Sequence, residues 1–288
     1  MIKVIASDMD GTLLNSAHEI SEGNRNAIKK AINKGVKFVI ATGRDYDSVH
    51  QLAEKNGLEC EFVLMNGAEY RDKNGKLIEK IDLDKSKTKD IVNIMHKHGL
   101  CDKIFTNDGM YTTCTEEESM KGMAFQLQVM NPKLTFEEAM EEAHLFNGMN
   151  AIKYITDIDE FLNRDIEIRK IFGFHTEVSV LDETKKEVEA LGDLAILSSF
   201  ATNIEVTDIK AQKGFILGKV VDEMGISRDE VMILGDSFND YSLFTEFKNS
   251  FAMKNAMEHI KEIATYITDT NDNDGVAKAI YKMIPELR

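Results

Sequence analysis

The run Lys3-Val4-Ile5-Ala6-Ser7-Asp8-Met9-Asp10-Gly11-Thr12 limits what this chain can become more than any other stretch. Its apolar part is too short for a buried helix and is bounded by a turn signal, so it reads as a buried strand. Two aspartates one residue apart then fall at the strand's carboxyl end, where open α/β sheets place their ligands. Carboxylates this close disfavour each other's ionisation. A bound cation relieves the conflict, and all-oxygen donors favour a hard ion such as Mg2+. The plain alternative is a solvated turn cornered on Asp10-Gly11. Recurrence of the same pattern further along the chain tips the reading toward a site.

Ser21 is a candidate N-cap for a helix through Ala27, Ile28, Ala31 and Ile32, and Gly35 stands where a C-cap glycine belongs. A second buried strand, 36–41, ends in Thr42-Gly43-Arg44 and opens a helix through Val49, Leu52 and Ala53. Backbone N–H groups at such a junction favour anions, and a hydroxyl and a guanidinium there add phosphate donors. A third strand, 61–65, ends at Asn66-Gly67-Ala68, and Lys73-Asn74-Gly75 signals a hairpin. This βαβα start implies a parallel sheet with right-handed crossovers.

Beyond Asp82 the texture changes to amphipathic helices (near 85–98, 116–130, 135–147 and 182–191) and half-polar strands (near 103–107, 110–114, 150–156, 172–180, 194–199 and 203–207). Residues 83–208 are therefore expected to form an inserted α+β domain between core segments 1–82 and 209–288. The βα texture resumes at Lys213-Gly214. Strand 231–234 follows, ending in Gly235-Asp236-Ser237-Phe238-Asn239-Asp240, and then two short strand–helix units.

Composition excludes several classes. The 288 residues are 43% hydrophobic and 30% charged, as in a folded globular protein. A net charge of −15 argues against a nucleic-acid partner. No apolar run approaches the ~18 residues of a membrane span. Met1-Ile2-Lys3 leads straight into the first strand, so no signal peptide is expected. Cys60, Cys101 and Cys114 are odd in number, widely spaced and lack a C-x-x-C. The expectation is no disulfide framework, no zinc site and a reducing, cytoplasmic location. Met110, Met120, Met123, Met130, Met140 and Met149 read as gap-filling core. His96 and His98, two apart on a helix, point in different directions and receive no role.

In a parallel sheet the strand ends converge on one edge. Asp8 and Asp10, Thr42, Lys213, and Asp236 with Asn239 and Asp240 then supply the parts of a phosphoryl-transfer site: cation ligands, phosphate donors and a carboxylate nucleophile. At the level of these residues the chain resembles a haloacid dehalogenase (HAD) superfamily phosphatase of the Cof-type subfamily. Asp8-Met9-Asp10-Gly11-Thr12 resembles motif I, Thr42 in Ala41-Thr42-Gly43-Arg44 motif II, Lys213-Gly214 motif III, and Gly235-Asp236-Ser237-Phe238-Asn239-Asp240 motif IV. Asn273 to Ile280 is similar to the subfamily's C-terminus. Met9 and Ser237 depart from the usual residues at positions not used for chemistry.

The resemblance implies a Rossmann-like α/β core with an α+β cap of the C2 type. It implies a phosphatase with Asp8 as nucleophile and Asp10 as general acid and base. Mg2+ would be held by the Asp8 carboxylate, the Asp10 backbone carbonyl and Asp236, with Asp240 supporting the shell. Thr42, Gly43, Lys213 and Asn239 would bind the phosphoryl group. The substrate would be a small phosphorylated metabolite, and Glu69–Ile81 with the return near 208 would link a mobile cap. Monomer and homodimer stay open, as do a phosphotransferase or sugar-phosphate mutase on the same scaffold and a phospho-accepting signalling module.

Overall fold

Val4–Ser7 (β1) is buried at all four positions, as a strand covered on both faces requires. It lies between β2 (Lys37–Ala41) and β12 (Val231–Gly235) and runs parallel to both. The protein is seen here as a computed structural model that describes residues 1–145 and 151–288. Among these residues the sheet continues through β3 (Glu61–Leu64), β4 (Glu69–Arg71) and β5 (Leu77–Lys80) on one side. On the other side it continues through β13 (Asn249–Ala252) and β14 (Tyr266–Ile267). Among the described strands β4 is antiparallel to both its neighbours, β3 and β5, and the other pairs are parallel; Lys73–Gly75 lies in the hairpin between β4 and β5. The order β14-β13-β12-β1-β2-β3 puts the change of winding direction between β1 and β12, the point where such sheets open a crevice.

Local sequence explains the helices around this sheet. Ser21 accepts a hydrogen bond from the Asn24 N–H and caps Glu22–Asn33. Gly35, at φ +84°, ends that helix in the left-handed conformation glycine adopts without strain. Ile5, Phe38, Val39, Ile40, Val63, Ile233 and Leu234 are buried in one core. Each such side chain contributes about 1.5–3 kcal/mol, so the strand ends that carry polar groups stand on a rigid base. This unit comprises Met1–Ile81 and Lys210–Arg288.

The second unit, Asp82–Ile209, has its own core around Ile91, Met95, Ile104, Phe161, Ile171 and Val206. Its described sheet runs β10 (Leu194–Leu197), β11 (Asn203–Asp208), β9 (Ile168–Phe174), β6 (Cys101–Thr106), β7 (Gly109–Thr112) and β8 (Ile152–Tyr154). All neighbours are antiparallel except β7 and β8. Met120 is buried beside Met110, Met123 and Met140. Met149, the Met130 side chain and the parts of the expected 135–147 and 150–156 elements at 146–150 lie outside the described residues.

Two expectations change. The strand expected at 172–180 stops at Phe174, and Val178–Glu189 is a helix. His175 Nδ1 accepts from the Glu177 N–H at 3.0 Å and turns the chain, and Leu181, Thr184 and Val188 then bury one helical face. Tertiary packing here outweighs the strand preference of Val178 and Val180. The expectation of no disulfide is also overturned, since Cys101 and Cys114 are paired, with Cα atoms 5.9 Å apart. The β6–β7 register, Ile104 opposite Tyr111 and Thr106 opposite Gly109, extends to place these two cysteines opposite each other.

Candidate active site

Asp8 is the first residue past β1, one step beyond the aligned trio Ser7, Ile40 and Leu234. Its N–H donates to the Leu234 carbonyl, fixing it against β12. The side chain is 5% exposed, and Lys213 Nζ donates to Oδ1 at 2.7 Å. Oδ2 is buried and accepts no hydrogen bond among the described residues. A buried carboxylate oxygen left this way is costly unless a ligand completes it.

Lys213 is fully buried at the start of the helix Lys213–Glu223 and donates equally to Asp240 Oδ1 at 2.7 Å. Two close approaches hold it there. A Cβ on Gly214 would meet the Ser242 carbonyl oxygen at 2.1 Å, and one on Gly67 would meet the Gln212 backbone at 2.4 Å. Either substitution would push this helix start away.

Asp240 has both oxygens engaged, since Oδ2 accepts from the N–H groups of Asp236 and Ser237 at 3.0 and 3.1 Å. It shapes the loop after β12 and anchors Lys213. Asp236 is held by Thr12 Oγ1, which donates to its Oδ1 at 2.7 Å. Gly11 has φ +81°, and a Cβ there would meet Asp236 Oδ2 at 2.5 Å, so the turn after Asp10 needs a residue without a side chain.

Ligand atoms of Asp8, Asp236 and Asp240 lie within 4.8 Å of one another. One lysine against three carboxylates leaves two negative charges, the charge of one divalent cation. Without that cation the acids shift. Burial, then the Asp240 charge, holds the Asp8 carboxyl well above its usual range despite Lys213. The same two causes push Asp236 up to about 7. For Lys213, burial alone would lower the value, but Asp240 and Asp8 outweigh it and raise the ammonium above its ordinary range. The donor set, the charge deficit and the orphaned oxygen fit a hard divalent cation.

Thr42 is buried one residue past β2; its N–H donates to the Val63 carbonyl, and its Oγ1 accepts from the Arg44 N–H at 3.2 Å. Gly43, half-buried, follows in the same turn. Arg44 departs from its reading as a phosphate donor. Its guanidinium forks onto Asp10, with Nε to Oδ2 at 2.9 Å and Nη2 to Oδ1 at 2.5 Å. A bidentate ion pair satisfies both groups better than an open pocket would.

Asn239 is buried; its Oδ1 accepts from Ser237 Oγ at 2.7 Å, and its Nδ2 donates to Asn66 Oδ1 at 3.2 Å. Asn66 was given no role from the sequence. At φ +60° it is left-handed, fully buried, and donates its N–H to the Thr42 carbonyl. It thus ties the end of β2 to the loop after β12. Its sequence signal was the Asn66-Gly67 pair, which favours positive φ.

Comparison with known proteins agrees with this geometry. A family model described as haloacid dehalogenase-like hydrolase matches residues 5–280. Phosphatase YwpJ of Bacillus subtilis is 32% identical over 96% of this chain and 98% of its own length. The 5-amino-6-(5-phospho-D-ribitylamino)uracil phosphatase YcsE of the same organism is 36% identical over 97% of this chain and 94% of its own. Among solved structures, a haloacid dehalogenase-like hydrolase from B. subtilis superposes with a TM-score of 0.84 at 32% identity, covering 97% of this chain and 99% of that one. The four motifs, the sheet that carries them and these relatives converge: the chain belongs to the haloacid dehalogenase-like hydrolase family.

Proposed function

We propose that this phosphatase hydrolyses phosphate monoesters of small metabolites through an aspartyl-phosphate on Asp8, with Mg2+ as its cation. The observation that carries the reading is the Asp8 carboxylate, anchored through Oδ1 by Lys213 and left with a buried, unpartnered Oδ2 beside Asp236. A nucleophilic carboxylate must be fixed, ionised and free at one oxygen.

The Asp8 carboxylate and Asp236 would hold the cation, together with the Asp10 backbone carbonyl. Bound there, it supplies positive charge that keeps Asp8 ionised and neutralises the phosphoryl oxygens. Asp240 serves as a positioning residue, its own oxygens being taken. Lys213, Thr42, the Gly43 N–H and Asn239 orient the phosphoryl group. Asp10 protonates the leaving oxygen and then takes a proton from water. Arg44 forks onto the Asp10 carboxylate and fixes its orientation.

The unit Asp82–Ile209 serves as the selectivity domain. The relative YcsE carries a phosphorylated ribitylamino-uracil in its name, which supports a phosphorylated polyol or sugar-like ester as the substrate class. The test is phosphate release from a panel of such esters, with pyridoxal phosphate and flavin mononucleotide included, for wild type beside Asp8→Asn. Release that needs Mg2+ and vanishes in the variant is expected. Failure of every ester with a stable, acid-labile phosphate on Asp8 would instead point to a phospho-accepting module.

A further inference from the structure

The reading that gave His96 no role rested on its spacing from His98. The fold brings it other company. His96, on the helix Lys85–Lys97, directs Nε2 to Asp102 Oδ1 at 2.8 Å and to Cys114 Sγ at 3.7 Å. Cys114 Sγ lies 3.9 Å from the same Asp102 oxygen. The Asp102 side chain is fully buried, whereas that of His96 is 40% exposed. Cys101 stands opposite Cys114 and is bonded to it. His96, Cys101 and Cys114 border a cavity of about 520 Å³, also lined by Lys103, Glu118 and His175.

Asp102 Oδ1, Cys114 Sγ and the Thr113 hydroxyl, the last at 3.1 Å, all meet His96 at one ring nitrogen. A proton relay would use the two nitrogens separately. Convergence of a nitrogen, an oxygen and a sulfur on one point is the arrangement of a ligand set. Tetrahedral zinc with bonds of about 2.0–2.3 Å separates its ligand atoms by roughly 3.3–3.8 Å. The Cys114–His96 separation of 3.7 Å falls in that range, and the Cys114–Asp102 separation of 3.9 Å is just above it. The His96–Asp102 edge is a hydrogen bond, which lengthens when a metal replaces its proton. Thiolate and imidazole select a borderline ion such as Zn2+ over Mg2+, and the cavity provides an entry path.

We propose that, once the Cys101–Cys114 disulfide is reduced, His96, Asp102 and Cys114, whose ligand atoms lie within 4.8 Å of one another, form a binding site for a zinc-class divalent cation within the Asp82–Ile209 unit, separate from the carboxylate cluster of the core. Disulfide and metal exclude each other. Two electrons and two protons from a dithiol convert the disulfide to two thiols, and the dithiol becomes a cyclic disulfide. The cation then displaces the Cys114 thiol proton into water.

Cobalt(II) reads such a site directly, because a thiolate ligand gives a charge-transfer absorption that an all-oxygen site lacks. The full chain is reduced, freed of reductant, saturated with Mg2+ and titrated with Co2+. The expected result is a thiolate–cobalt band that saturates at one ion per chain and is displaced by Zn2+. It should be lost in Cys114→Ser and in His96→Ala, and in wild type reoxidised to the disulfide. His96 is partly exposed, so its removal tests the site without opening a core. No band in the reduced wild type, a band that survives either substitution, or one that persists in the disulfide form would each overturn the proposal.

Discussion

Two buried aspartates of this chain, Asp8 and Asp102, meet opposite company. Asp8 shares its pocket with Asp236 and Asp240 against a single lysine and keeps one oxygen without a partner. Asp102 has hydrogen-bond partners on both oxygens: His96 and the Thr113 hydroxyl at Oδ1, and the Thr113 N–H at Oδ2. The first environment is short of positive charge and rich in hard oxygen. The second is balanced by protons and edged with sulfur. The difference teaches that burial alone does not make a carboxylate reactive; the deficit of its neighbours does.

That contrast can be broken most severely at Lys213. Lys213→Met removes the one cation from the core cluster and leaves three carboxylates facing each other. Phosphate release should fall about 10²–10³-fold, and stability by about 3 kcal/mol, since a buried pair loses one partner. Steady-state kinetics and urea unfolding measure the two effects.

Asp236→Asn should separate function from stability. The metal requirement should rise about 10–100-fold, as when a ligand shell is weakened. Stability without metal should move the other way. Asp236 is pushed up to about 7 in the fold, first by burial and then by Asp240. A carboxyl raised this way favours the fold while protonated. That contribution is complete below the ordinary aspartate range and is lost as pH rises through about 7. In chelator at pH 8 the variant should therefore melt higher than wild type, by about 2–4 °C per kcal/mol gained. The gap should close as pH falls toward 4. Equal melting at both pH values would show that the carboxylate conflict is not felt.

Arg44→Met tests the ion pair on Asp10. About a tenfold fall in kcat is expected in steady-state kinetics, because the Asp10 carboxylate loses the fork that orients it. The smallest effect belongs to the other cluster. Cys114→Ser should leave phosphate release within about twofold under reducing conditions, since nothing places it in the phosphoryl chemistry. A large loss there would erase the distinction between the two aspartates.

How much of this could be read in the chain follows from how local each signal is. Asp8 and Asp236 each follow a buried strand directly, and a parallel sheet has few ways to arrange such ends. The approach of these two carboxylates was legible for that reason. Asn66 was not, because its role depends on a left-handed turn that touches Thr42 and Asn239 from a third strand. Arg44 was legible as a charge near the site but not as the partner of Asp10, a choice made between two side chains 34 residues apart. Cys101 and Cys114 were judged by count and spacing. They sit symmetrically about the Asn107-Asp108 turn, six residues to either side, and that symmetry was the signal of their pairing.

The central claim is a covalent bond between Asp8 and phosphorus. It is tested most directly by quenching the enzyme in acid during turnover, reducing it with borohydride and sequencing the N-terminal peptide by mass spectrometry. An acyl phosphate at Asp8 is reduced to homoserine, so position 8 should carry that mass in proportion to substrate occupancy, and Asp8→Asn should show neither the mass nor phosphate release. Full turnover with an unmodified Asp8, or undiminished release by Asp8→Asn, would contradict the account.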